Sequence, residues 1–61
     1  MVTQFQAILK AERLSKKEFP NEVVILFQKE NGDYDACLET SFTGDDDTIC
    51  ERYLNGCLAP A

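Results

Sequence analysis

The feature that most constrains this chain is Asn31-Gly32, set between two extended runs in Glu22 to Phe42, EVVILFQKENGDYDACLETSF. Asn-Gly tolerates φ > 0 at both central positions of a type I′ turn, whose twist matches the strands it joins. The pair therefore predicts a β-hairpin. A two-residue turn there sets Phe27 opposite Ala36, Ile25 opposite Leu38 and Val23 opposite Thr40, with Lys29 opposite Tyr34 and Phe42 extending the same face. That face reads as the core side of a half-buried sheet. On the other, Val24 opposes Glu39, Leu26 opposes Cys37, Gln28 opposes Asp35 and Glu22 opposes Ser41, an apolar centre inside an acidic margin.

Upstream, Thr3 to Leu14 sets two principles against each other. Its Ala, Leu, Gln, Lys, Glu and Arg content favours a helix. A helical projection, however, scatters Phe5, Ile8 and Leu9 to one side and Ala7, Ala11 and Leu14 to the other. Read with period two, Phe5, Ala7, Leu9 and Ala11 share a face, Gln4, Gln6, Lys10 and Glu12 share the opposite one, and Ile8 is the single exception. Pattern decides what can be buried, so the segment is expected as a strand. Ser15 and Glu18 then have capping-box spacing, and Pro20 pushes Phe19 toward an extended conformation, which predicts one helical turn and a bend.

Downstream, Thr43-Gly44 ends the hairpin. Ile49, Cys50, Tyr53, Leu54 and Cys57 fall at helical spacing, with Asp45 as N-cap, Asp46 and Asp47 at the positive end of the dipole, and Asn55-Gly56 as the stop. Leu58 to Ala61 reads as a tail. The expected class is α+β: a three-stranded antiparallel meander with a C-terminal helix on one face, β-β-β-α, in a single small domain of residues 1–61. The alternative is α-β-β-α with the N-terminal segment helical. It would bury the hairpin on both sides.

A chain of 61 residues makes a thin core, since a domain near this size buries only about 60% of its unfolded surface. Support from a partner or a second copy is a reasonable prior. The formal charge is −5, divided into +2 over residues 1–21 and −7 over residues 22–61. Such a field argues against direct nucleic-acid or anionic-membrane binding and steers basic partners. Cys37, Cys50 and Cys57 are odd in number and lack Cys-x-x-Cys spacing, so the expectation is reduced thiols in the cytoplasm, with Cys50 and Cys57 in the core. The longest apolar run, Val23 to Phe27, is five residues, far short of a membrane span.

The chain has no histidine, which removes the commonest general base and zinc ligand. No phosphate-cradling loop occurs. No cofactor is expected. Asp45-Asp46-Asp47 lacks the EF-hand spacing and reads as a helix cap before a cation site. Tyr34 and Tyr53 read as packing residues.

What is left is a surface. Ile8, Val24, Leu26 and Cys37 would form one patch with Glu22, Asp35 and Glu39 around it, the apolar-centre, charged-rim anatomy of a recognition site. Carboxylates on alternate strand residues are about 6.6 Å apart and would present a row of negative charge to Lys or Arg. The expected function is a small acidic, non-enzymatic protein-binding module, an inhibitor or regulator that engages a partner through a basic surface, nucleic-acid-binding surfaces included. In size, acidity and lack of catalytic groups the chain is similar in kind to small inhibitors encoded by viruses and mobile elements. The alternative is a structural homodimer using the outer sheet face.

Overall fold

The computed structural model describes residues 3–59. It is α+β, with one N-terminal helix on a four-stranded antiparallel sheet. Helix α1 spans Gln4–Arg13, and strands β1 to β4 span Val24–Gln28, Tyr34–Leu38, Ile49–Leu54 and Cys57–Leu58. Their spatial order is β2-β1-β3-β4.

The N-terminal segment is thus a helix, correcting the strand expectation. Thr3 caps it: the Gln6 N–H donates to Thr3 Oγ1 at 3.2 Å, and the Thr3 N–H donates to Gln6 Oε1 at 3.1 Å. This reciprocal box satisfies two of the donors that a helix start leaves open. The buried stripe is made by small residues. Ala7 and Ala11 have no exposed surface and Ile8 and Leu14 pack beside them, whereas Phe5 and Leu9 are 68% and 50% exposed. The period-two reading failed because it assigned the largest apolar side chains to the core. After α1, Leu14–Glu18 forms a π-helical turn closed by the Phe19 N–H donating to the Leu14 carbonyl at 2.8 Å. Asn21, at φ 65°, then turns the chain into β1.

The β1–β2 hairpin exists, with its register one residue from expectation. Val24 faces Leu38, Leu26 faces Ala36 and Gln28 faces Tyr34. The loop has three residues, closed by the Lys29 N–H on the Asp33 carbonyl at 2.6 Å and the Gly32 N–H on the Lys29 carbonyl at 3.0 Å. Within it only Gly32 has positive φ, 91°, so this is a one-bulge hairpin loop in place of a type I′ turn. A slip of one residue sends every side chain of β2 to the other face. Ala36 and Leu38 accordingly join Val24 and Leu26 beneath α1, while Asp35 and Cys37 go with Ile25 and Phe27.

The C-terminal segment is not a helix, a second correction. Residues 49–54 form β3, which pairs Tyr53 with Val24, Arg52 with Ile25, Glu51 with Leu26 and Ile49 with Phe27. The register shifts between Leu26 and Phe27, leaving Cys50 as the extra residue of a β-bulge. That extra residue breaks the period-two alternation and produces the spacing that imitates a helix. Asn55 and Gly56, at φ 52° and 85°, form a two-residue turn with Leu54 facing Cys57. The type I′ Asn-Gly hairpin is therefore here. Of the expected tail, Leu58 lies in β4, while Pro60 and Ala61 lie outside the described residues.

Strands β2 and β3 both run antiparallel to β1, hence parallel to each other, so residues 39–48 must cross from one side of β1 to the other. They cross on the face opposite α1, where the Phe42 ring meets Phe27 at 4.9 Å between centroids. Between helix and crossover, Val24, Ile25 and Leu26 have no exposed surface. Each such side chain contributes roughly 1.5–3 kcal/mol.

A polar lock ties the two ends of the chain together. Ser15, fully buried, donates to the Glu12 carbonyl at 3.1 Å and accepts from the Gly56 N–H at 2.9 Å. Asn21 and Asn55 add a reciprocal pair, Asn21 N–H to Asn55 Oδ1 at 2.8 Å and Asn55 Nδ2 to Asn21 Oδ1 at 3.3 Å. A Cβ on Gly56 would lie 3.1 Å from Lys16 Cβ. Among the described residues no helix is long and apolar enough to cross a membrane.

Candidate functional site

The register and the helix together divide the expected patch. Val24 and Leu26, its apolar centre, have no exposed surface and belong to the core, and Ile8 of α1 packs half-buried against that core. Cys37 lies on the opposite face, half-buried, and Glu22 is exposed before β1. The structure does not bring Ile8, Glu22, Val24, Leu26, Asp35, Cys37 and Glu39 to one surface.

Two carboxylates of the expected rim, Asp35 of β2 and Glu39 just after it, are engaged. Asp35 Oδ1 accepts from Lys10 Nζ at 2.6 Å and from the Ala36 N–H at 2.8 Å, and Oδ2 lies 3.6 Å from Lys29 Nζ. Burial by itself would raise this carboxyl; the Lys10 hydrogen bond, the Ala36 N–H and the charges of Lys10 and Lys29 outweigh it and hold Asp35 below its ordinary range. The Ala36 N–H points away from β1 along the sheet edge, so Asp35 also caps an edge donor that would otherwise invite another strand. Glu39 accepts from Arg52 Nε at 2.9 Å, joining the crossover to β3. Burial and then Asp35 push the Cys37 thiol up, against an opposing effect of Lys10, which keeps it a thiol at neutral pH and a poor nucleophile. Burial, followed by Glu12 and Glu51, pushes the Tyr53 phenol up as well.

Cys50 and Cys57 are exposed, correcting their expected place in the core; all three thiols are free. Asp46–Thr48 forms a single 3₁₀ turn in which the Asp45 backbone carbonyl, not its carboxylate, accepts from the Thr48 N–H and hydroxyl at 3.0 and 2.7 Å. Among the described residues no three His, Cys, Asp or Glu side chains converge as a metal site would require.

Two features stand out from the residues upward. The first is charge segregation. Among the described residues Lys10 and Lys29 pair with Asp35 and Arg52 pairs with Glu39, so three of the six cations are held. The others, Arg13, Lys16 and Lys17, cluster where the helix ends against the Asn55-Gly56 turn. At the far end of β1, Glu30 and Asp33 of the hairpin loop stand with Asp45, Asp46 and Asp47 of the crossover, and none of the five forms an ion pair among the described residues.

The second is a groove of about 390 Å³ at that acidic end, between the hairpin loop and the crossover. Phe27, Cys37 and Phe42 form its floor and Glu30 and Asp45 its lips. Gly44 closes it behind Phe42: a Cβ there would lie 2.9 Å from Phe42 Cζ, so the ring packs on bare backbone. The sequence did place Phe27 and Phe42 on one face. It contained no signal for the crossover that turns that face into a cleft.

No protein-family model, curated protein or solved structure matches this chain. Function is therefore argued from its own residues.

Proposed function

We propose that the chain is a small acidic protein-binding module, not an enzyme, and that it inhibits or regulates a partner by covering a basic, nucleic-acid-binding surface of it. The observation that carries this reading is the gathering of Glu30, Asp33, Asp45, Asp46 and Asp47 on the hairpin loop and the crossover, none of them in an ion pair among the described residues, with Glu30 and Asp45 lining one groove. Exposed like charges at close quarters cost self-repulsion, and a partner rich in Lys and Arg relieves it while being steered to that end. On this reading the apolar centre moves from Val24 and Leu26 to Phe27 and Phe42, and the rim to Glu30 and Asp45. The test is a partner recovered from extract of the native cell and then titrated. Glu30→Lys with Asp45→Lys lowers its affinity at least about tenfold and flattens the salt dependence, whereas Glu18→Lys at the opposite end leaves both unchanged. Recovery of no partner, or equal effects of the two reversals, counts against the reading.

A specific observation favours a second reading, self-association. Phe5 and Leu9 lie one helical turn apart on the outer side of α1, 68% and 50% exposed. A dimer through this face moves the self-association surface from sheet to helix. Light scattering decides it: a dimer dispersed by Leu9→Glu supports the reading, and a monomer at high concentration removes it.

A further inference from the structure

Resting on the acidic-module reading, we infer that the groove between the hairpin loop and the crossover receives an arginine side chain from an extended basic segment of the partner. An arginine needs a flat apolar surface for its guanidinium plane and carboxylates at its edge, because its donors form a rigid fork and its faces are weakly hydrated. The groove offers both. Phe27 and Phe42, packed on each other at 52° with centroids 4.9 Å apart, both line it and supply the aromatic surface. Cations are attracted to such faces within about 6 Å of the ring centroid. Glu30 and Asp45 reach the same groove from its two sides, and Gln28 adds an amide. At about 390 Å³ the groove matches small-ligand clefts, which run from about 300 to 1,000 Å³.

Lys29 also lines the groove, its ammonium 3.6 Å from the Asp35 carboxylate that it shares with Lys10, but against this one cation the lining sets two carboxylates, Glu30 and Asp45. The lips then keep a net negative charge. That complementarity, with the aromatic floor, selects arginine over lysine: a compact ammonium satisfies the carboxylates and gains less from stacking. A second copy is a poor occupant. Its own cations outside the ion pairs, Arg13, Lys16 and Lys17, sit at the opposite end, so seating them here needs a heterologous, head-to-tail contact between molecules each carrying −5.

The experiment is an NMR titration of the full chain with a seven-residue peptide bearing one central arginine, alongside the same peptide with lysine or with citrulline, the uncharged isostere. Saturable shifts confined to the amides of Phe27, Glu30, Phe42, Gly44 and Asp45 are expected, with binding about tenfold weaker for lysine and weaker still for citrulline. Glu30→Gln with Asp45→Asn lowers affinity by about tenfold or more. Gly44→Ala, which displaces the Phe42 ring without altering charge, lowers it for arginine and leaves the weak lysine binding unchanged. Shifts spread over Asp33, Asp46, Asp47 and Glu51 and equal for arginine and lysine overturn the groove and leave the acidic module standing. No shift with any cationic peptide overturns both. Shifts that depend on protein concentration alone assign the groove to a second copy and overturn the arginine reading.

Discussion

Ser15→Ala tests the joint that holds the two ends of this chain together. The hydroxyl is fully buried and bonded in both directions, to the Glu12 carbonyl and from the Gly56 N–H. Alanine removes the acceptor and leaves the Gly56 donor facing a methyl group, at a cost of about 1–3 kcal/mol for an unsatisfied buried donor. Alanine is also the better helix former, recovering up to about 0.5 kcal/mol. With that recovery in full the net loss is about 0.5–2.5 kcal/mol, and at about 4–8 °C per kcal/mol for a domain of this size the melting temperature falls by about 2–20 °C. Circular dichroism reads the melting, and hydrogen exchange at the Gly56 amide reads the bond itself. Ser41→Ala, at an exposed position, serves as control and shifts stability by no more than about 0.5 kcal/mol. If Ser15→Ala melts with the wild type and its Gly56 amide stays as protected, the turn is not docked on the π-helical segment. The placement of β3 and β4 would then fall with it.

Other perturbations probe the remaining contacts. Leu26→Ala costs about 2–5 kcal/mol by urea titration while Leu9→Ala costs no more than about 0.5 kcal/mol, and the reverse order would mean that α1 does not cover this face. Thr3→Ala removes the helix cap and costs about 1 kcal/mol, with amide exchange in the first turn rising first. Asp35 has a lower folded than unfolded pKa, so its stabilisation is complete above the unfolded value of about 3.9 and is lost as pH falls through the folded one. Urea midpoints measured from pH 7 down to pH 2 (on the order of the carboxylate range) therefore decline less at the acid end in Asp35→Asn than in the wild type; parallel curves refute the assignment.

The parts of the fold legible in the sequence were those set by local chemistry. The α+β class and the central hairpin followed from turn residues flanked by apolar runs. The helix was legible too, since Thr3 and Gln6 have capping-box spacing, but period-two alternation over Phe5, Ala7, Leu9 and Ala11 offered a competing answer. What decided between them is tertiary. Ala7 and Ala11 let the helix approach Ala36 closely, a gain invisible to any count of large apolar residues. Likewise the β3 pattern reads as helical only because Cys50 is a bulge residue, and a bulge is defined by the strand opposite.

The two Asn-Gly pairs carry this furthest. Each is compatible with a type I′ turn, yet only Asn55-Gly56 adopts one, because Ser15 takes the Gly56 N–H and Asn21 the Asn55 side chain. At Asn31-Gly32 the Asn31 Oδ1 accepts from the Asp33 N–H at 3.0 Å and the loop takes a third residue. That one residue decides the location of the candidate site. Had the shorter turn formed, Ala36 and Leu38 would share a face with Ile25 and Phe27, and Asp35 would lie with Val24 and Leu26. With the longer loop, small Ala36 goes beneath the helix and Asp35 reaches both Lys10 and Lys29. The opposite face keeps Phe27 and Cys37 for the crossover to roof, and Glu30 and Asp45 come to its lips. A glycine that permits a three-residue loop thus fixes which aromatic rings and which carboxylates a partner meets.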